Sequence, residues 1–364
     1  MRTGTASRFD PAALRQLAAA LKIRRTGAYA FVGYAHDSVH WDRLNIRGFS
    51  VAKLSSQSGV TQYRTVNAIA TRQHGKKRHP PLREVHGRFF ASKLITPGAF
   101  LFLTPERDEY VRDGLVRLLY RSRKYVMRAR LTSAEMLSIV SGLAQASKTK
   151  LITSRSLLRS KRNEATISYK AESLRTLYDY ARDSQANVDG FDFTLITSAG
   201  DTLIRAGLNR SGKLSYHSGS EEFFINGFVE SVAQTVKART DLLRNRARSN
   251  ETGEVRPLRL KFDEPLFGEA GNVRTLLTVL GKIRHGEFTL FHRNPYLHLS
   301  FFDFFDASEF DVVIDAVDSL VVVPQFDSSL PSLFRLCQKI FEQFEEGIIS
   351  DADDVVRAPA HEND

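Results

Sequence analysis

From Ala28 to Pro324 the sequence runs in short strand-like segments cut by Gly, Pro and Asn, with capped helices between the runs of strands. That order predicts an α+β protein whose antiparallel sheets are covered by helices on one side. Asp10-Pro11 supplies an N-cap acceptor and a proline at the first helical position, so a helix is predicted to about Lys22. Extended segments follow at Ala28–Tyr34, Leu44–Leu54 and Val60–Ala70. Residues 71–88 hold Pro80 and Pro81 and predict a loop. Phe89–Leu103 reads as one or two strands, broken at Thr96-Pro97-Gly98. Residues 1–103 are thus expected to form a basic β-rich module with an N-terminal helix.

Thr104-Pro105-Glu106 predicts a second helix, and the capping box Thr132-x-x-Glu135 a third, reaching about Ser147. Lys148–Arg162 reads as a connecting loop or a short strand. Residues 104–165 form a basic helical connector. Beyond it, an order of strand, helix, several strands and helix occurs twice. The first unit, 166–250, opens with a strand at Thr166–Lys170 and closes with a long helix at Glu221–Arg246. The second, 251–348, opens at Arg256–Asp263 and closes at Ser329–Glu346. These are tandem β-α-β(3-4)-α units, followed by an acidic disordered tail at 349–364. The order resembles the saddle-shaped, tandem unit of TATA-binding-protein-like domains over residues 166–346. The resemblance implies sheets with one helix-covered face, and no DNA-contacting residue is carried over from it.

Charge divides the chain as well. Residues 1–165 hold 31 Lys and Arg against 10 Asp and Glu, net +21, and residues 166–364 hold 21 against 31, net −10. An asymmetry of this size speaks about partners. The basic half attracts phosphate polymers, so nucleic acid, DNA or RNA, is the expected partner. The acidic half suits self-association as a homo-oligomer or recruitment of a protein partner. No run of about 18 apolar residues exists, and Met1–Asp10 lacks an apolar signal core, so no membrane contact is expected. One cysteine, Cys337, excludes a disulfide framework and fits a cytoplasmic location. It sits among Leu333, Phe334, Ile340 and Phe341 at helical spacing and reads as a buried thiol. Association, rather than physics, links basic intracellular proteins without housekeeping motifs to bacterial defence against mobile elements.

Three basic clusters are candidate phosphate contacts. Arg72, Lys76, Lys77, Arg78, Arg83 and Arg88 lie in and beside the predicted loop, where long cationic side chains reach phosphates and release counterions. Arg117, Arg121, Lys124 and Arg128 recur at i, i+4, i+7 and i+11, a helical stripe set away from the apolar face of Val111, Leu115, Leu118 and Leu119. It is read as lacking i,i+4 support from carboxylates. Lys124–Leu131 also alternates like a strand, and if it is one the stripe shortens to Arg117 and Arg121. Arg155, Arg159, Lys161 and Arg162 form the third cluster. Tyr110, Tyr120, Tyr125, Phe89 and Phe90 lie near these groups, either as core or as surfaces on which single-stranded bases stack.

Enzyme signatures are sparse. There is no Walker A, no G-x-G-x-x-G, no G-x-S-x-G and no H-E-x-x-H. No cofactor and no metal are expected, and His292, His298, Asp303 and Asp306 read as plain polar groups. Arg293-Asn294-Pro295-Tyr296-Leu297-His298 resembles the R-N-x-x-x-H pattern of HEPN-type ribonucleases. The resemblance implies metal-independent RNA cleavage from one helical cleft, with Arg293 and His298 catalytic and the histidine handling protons. Pro295 and the period-two spacing of Leu297, Leu299 and Phe301 predict strands there instead. The reading is a nucleic-acid-binding protein that grips phosphates without strong sequence readout. The alternatives are a metal-independent nuclease or a protein-only scaffold.

Overall fold

The computed structural model describes residues 10–23, 27–35, 39–70, 82–122, 125–160, 165–244, 246–248, 254–262, 265–292, 297–326, 328–344 and 347–352. The protein is a mixed α+β structure with antiparallel sheets. It divides into two compact units, 1–237 and 238–364.

The first unit opens with α1 (Pro11–Lys22), whose cap is the predicted one: Asp10 Oδ1 accepts from the Ala12 N–H at 3.1 Å. Strands β1 (Ala28–Tyr34), β2 (Phe49–Gln57), β3 (Val60–Ala70), β4 (Leu82–Lys93) and β5 (Ala99–Thr104) follow. A helical rod then runs through α2 (Asp108–Tyr110), a π-helical stretch (Val111–Leu115) and α3 (Val116–Arg121). After β6 (Met127–Arg128) come α4 (Ser133–Ala146), β7 (Lys150–Ser160), β8 (Thr166–Tyr169), α5 (Leu174–Asp183), β9 (Ala186–Ile196), β10 (Thr202–Asn209) and β11 (Lys213–Gly219). A π-helical stretch (Phe223–Val229) leads into α6 (Glu230–Leu243), inside which the division between the units falls. The capping box forms in full, with both the Thr132 and the Glu135 side chains bonded to the backbone.

One sheet serves the whole unit, in the order β2-β3-β4-β5-β1-β11-β10-β9-β7-β8, with β6 also beside β1. The boundaries expected at 103/104 and 165/166 therefore fall within a stretch that shares a sheet. Alternation places Phe31, Tyr63, Val85, Phe89 and Phe102 on one face, under Tyr110, Val111, Leu115 and Leu118 of the rod. Gly87 leaves the slot for the Tyr110 ring, since a Cβ there would lie 2.3 Å from it. The Tyr110 hydroxyl meets Thr65 Oγ1 at 2.6 Å, which keeps a buried polar group satisfied. The opposite face carries the other helices. There Phe193 packs edge-on to Phe228, and Tyr169 of β8 stacks on Tyr180 of α5.

The second unit holds β12 (Leu258–Lys261), α7 (Ala270–Gly281), β13 (Gly286–His292), β14 (His298–Asp303), β15 (Ser308–Ala316), β16 (Ser319–Pro324), α8 (Leu330–Gln343) and β17 (Ile348–Asp351). Its sheet runs β13-β14-β15-β16-β12-β17. Leu258, Leu260, Leu299, Phe301, Phe310 and Val312 fill the core with Leu276 and Leu280 of α7 and Leu333 and Ile340 of α8. The tail expected from 349 starts inside β17, which pairs with β12.

Residues 166–246 and 256–346 do not share one strand order, which corrects the expected duplication. β8 lies beyond β7 at the end of its sheet, whereas β12 pairs with β16, the last strand of its meander. The order β12-β16-β15-β14-β13 is matched instead by β1-β5-β4-β3-β2 of the first unit. The sequence hid this match because a 3-10 turn at Trp41–Arg43 stands where the second unit has α7.

Candidate nucleic-acid interface

Of the candidate cations, Arg72, Lys76, Lys77, Arg78, Lys124, Lys161, Arg162 and Arg293 lie outside the described residues. The rest separate into those the fold uses and those it leaves open. Arg83 pairs with Glu109 at 2.8 Å and Asp113 at 3.5 Å, and Arg88 with Glu106 at 3.5 Å.

The four-residue stripe does not form. Helix α3 ends at Arg121, and Arg128 stands in β6. Arg128 is half-buried, 5.7 Å from the Phe31 ring, and burial together with the charge of Arg130 lowers its pKa. Arg121 donates to the Arg47 carbonyl and lies 5.7 Å over the Phe49 ring. Arg117 has the i,i+4 carboxylate that the sequence reading denied it: Asp113 Oδ1 is 3.6 Å from its Nε. Asp113 also receives Arg112 at 2.9 Å. The hydrogen bond from Arg112 is the main reason its carboxyl is held below the ordinary range, against the opposing effect of burial. Arg121 and Arg83 tie the rod to its surroundings, while Arg112 and Arg117 pair within it. Tyr110, Phe89 and Phe90 are buried and belong to the core, while Tyr120 and Tyr125 are exposed.

The third cluster behaves differently. Lys148–Arg162, expected as a loop or short strand, contains the eleven-residue strand β7. Its ladder to β9 shifts register at Thr153/Arg155 and again at Leu157/Leu158. The extra residue at the first shift is a β-bulge, which keeps the later side chains on their faces. Thr153, Ser156 and Leu158 are buried on the helix-covered side. On the other face stand Lys150, Ile152, Arg155, Leu157 and Arg159, all exposed but the half-buried Leu157. Arg159 lies 3.6 Å from Asp189. Arg155 has no ion pair among the described residues.

The neighbouring strands extend this face. Asp192 of β9 is opposite Arg155, and Gly207 of β10 is opposite Asp192. A Cβ at Gly207 would lie 2.3 Å from Asp192 Oδ1. The missing side chain lets Asp192 reach across β10 to His217 of β11, at 3.5 Å. Arg205 is exposed on β10, two residues from Gly207. No motif could have revealed this row, because its members come from four strands and meet only through their register.

No protein-family model matches the chain, and no curated protein matches it. The chemistry available on the face is therefore read from its side chains alone. Exposed guanidinium and ammonium groups on a sheet face bind phosphate oxygens by charge-assisted hydrogen bonds.

Of the two residues of the nuclease pattern, only His298 lies among the described residues. His298 begins strand β14, its ring 5.2 Å from that of Phe291, so it does not stand on the helix that the ribonuclease pattern implies. Asp303 pairs with Arg335, and Asp306 accepts from the hydroxyls of Ser329 and Ser332. Among the described residues no group of three His, Cys, Asp or Glu is placed to hold a metal. Cys337 is buried in α8 as predicted, and burial pushes its thiol up to about 12.

Proposed function

We propose that the protein binds nucleic acid through its phosphates on the β7 face of the first unit, and that the second unit serves self-association or recruits a protein partner. The observation that carries this reading is the line of exposed cations on β7, on the face opposite the one where Thr153, Ser156 and Leu158 are buried. Charge agrees with it. Residues 1–237 hold 38 basic against 19 acidic residues, net +19, while residues 238–364 hold 14 against 22, net −8. A phosphate polymer is attracted to the first unit and repelled by the second.

The test is a fluorescence-anisotropy titration of the full chain with labelled oligonucleotides over a range of salt. Binding through phosphates makes log affinity fall linearly with log salt, by about 0.7 to 0.9 for each phosphate neutralised. Replacing Arg155 and Arg159 together by Ala should flatten that slope by about 1.4 on single strands. Absence of binding at low salt, or an affinity indifferent to salt, would refute the proposal.

A further inference from the structure

Resting on that reading, we infer that the ligand of the β7 face is an extended single strand, whose phosphates meet Lys150, Arg155 and Arg159 while its unpaired bases rest on Ile152 and Leu157. Along one face of one strand the order is cation, apolar, cation, apolar, cation. Arg155 and Arg159 are four residues apart, about 13 Å along a strand. Ile152 is 38% exposed, an apolar group facing solvent between two cations.

A duplex has no use for those apolar positions. It offers a flat surface only sugars and phosphates, because its base edges lie inside grooves. The major groove is about 12 Å wide and admits a helix or a two-stranded ribbon. β7 is not such a ribbon. It lies within the run β11-β10-β9-β7-β8, about 19 Å across from first to last strand at about 4.8 Å per step. A sheet of that width cannot enter the groove, so Ile152 and Leu157 would face phosphates. A single strand turns its base faces outward, and those cover apolar side chains regardless of sequence.

The experiment compares single-stranded DNA, single-stranded RNA and the blunt duplex of the same DNA sequence against the full chain and three variants. Both single strands are expected to bind at least tenfold more tightly than the duplex, and the two arms separate a DNA source from an RNA source. Arg155→Ala should flatten the salt slope on single strands by about 0.7. Ile152→Ser should weaken single-strand binding several-fold with the slope unchanged, since it removes contact and no charge. Ile152→Phe should tighten it, because an aromatic ring adds stacking, and a misfolded variant could not mimic that gain. Duplex binding as tight as single-strand binding, or single-strand affinity indifferent to both Ile152 variants, would overturn the inference and leave the phosphate reading intact. Failure of every probe to bind would overturn the phosphate reading itself.

Discussion

Thr96 donates both its backbone N–H, at 2.8 Å, and its hydroxyl to one carboxylate oxygen of Glu230, 134 residues further along the chain. Both residues are buried. The bond ties the turn between β4 and β5 to the first residue of α6, so the middle of the first unit's chain is held to its last helix. Hydrogen bonds to a charged group contribute about 1.5–3 kcal/mol, and an orphaned buried donor costs about 1–3 kcal/mol. Glu230→Ala should therefore destabilise the first unit by about 3 kcal/mol. Glu230→Gln, which retains an acceptor at that position, should cost less. Urea denaturation of the parent and both variants measures these losses, and an Ala variant with the parent's midpoint would show that the bond contributes nothing.

Asp113 should give the protein an acid-labile element. Its folded pKa is depressed, chiefly by the hydrogen bond from Arg112 and then by the charges of Arg112, Arg117 and Arg83. A depressed carboxyl contributes stability that is fully present above its unfolded pKa, about 3.9, and is lost as pH falls through the folded value. Stability at pH 7 should therefore exceed that at pH 3. Asp113→Asn should remove part of this dependence by lowering stability at pH 7 more than at pH 3. Thermal melts of both proteins at the two pH values check it, and parallel pH profiles would exclude Asp113 as a source.

Local signals were legible and pairing was not. Asp10, Pro11 and the Thr132–Glu135 box announce their helices because capping is chemistry between near neighbours. β1 and β3 match the predicted segments residue for residue, Ala28–Tyr34 and Val60–Ala70, since a strand-forming run preceded by a glycine is a local signal too. What failed needed distant partners. The pairing of β1 with β11 joins residues 28–31 to residues 213–216, and nothing within either segment names the other. The Arg117 stripe is the exception, a local miss: its spacing was counted forward from Arg117, and Asp113 stands four residues before it. In the fold that acid collects three guanidiniums. β7 was obscured by its bulge at Ser154, which breaks the period-two signal.

Cys337 should be silent to thiol reagents in the native protein. It is 2% exposed, and burial raises its pKa to about 12. A raised thiol pKa favours the neutral form in the fold. The linked stability is complete below the unfolded pKa, about 8.5, and is lost as pH climbs toward the folded value. At pH 8 a colorimetric disulfide reagent should label the protein only after denaturant is added. Labelling of native protein at the rate of a free thiol would mean that α8 opens readily.

Charge reversal should separate the arginines that hold the fold from those that face a ligand. Arg117→Glu sets a second carboxylate one helical turn from Asp113, whose side chain is only 11% exposed. The variant loses an ion pair and gains a repulsion, so stability should fall by on the order of 1 kcal/mol. Arg155→Glu breaks no ion pair among the described residues and sits at an exposed position, and its one new conflict is with Asp192, its cross-strand neighbour, so stability should fall by no more than about 0.5 kcal/mol. Binding should show the reverse. Arg155→Glu should weaken nucleic-acid affinity similarly across sequences, because phosphate contacts position a protein without reading bases. Arg117→Glu should leave affinity nearly unchanged under conditions where the variant is fully folded. The measurement pairs a denaturation midpoint with an anisotropy titration for each variant at one salt concentration. A large loss of affinity in folded Arg117→Glu, with none in Arg155→Glu, would move the interface from β7 to the rod.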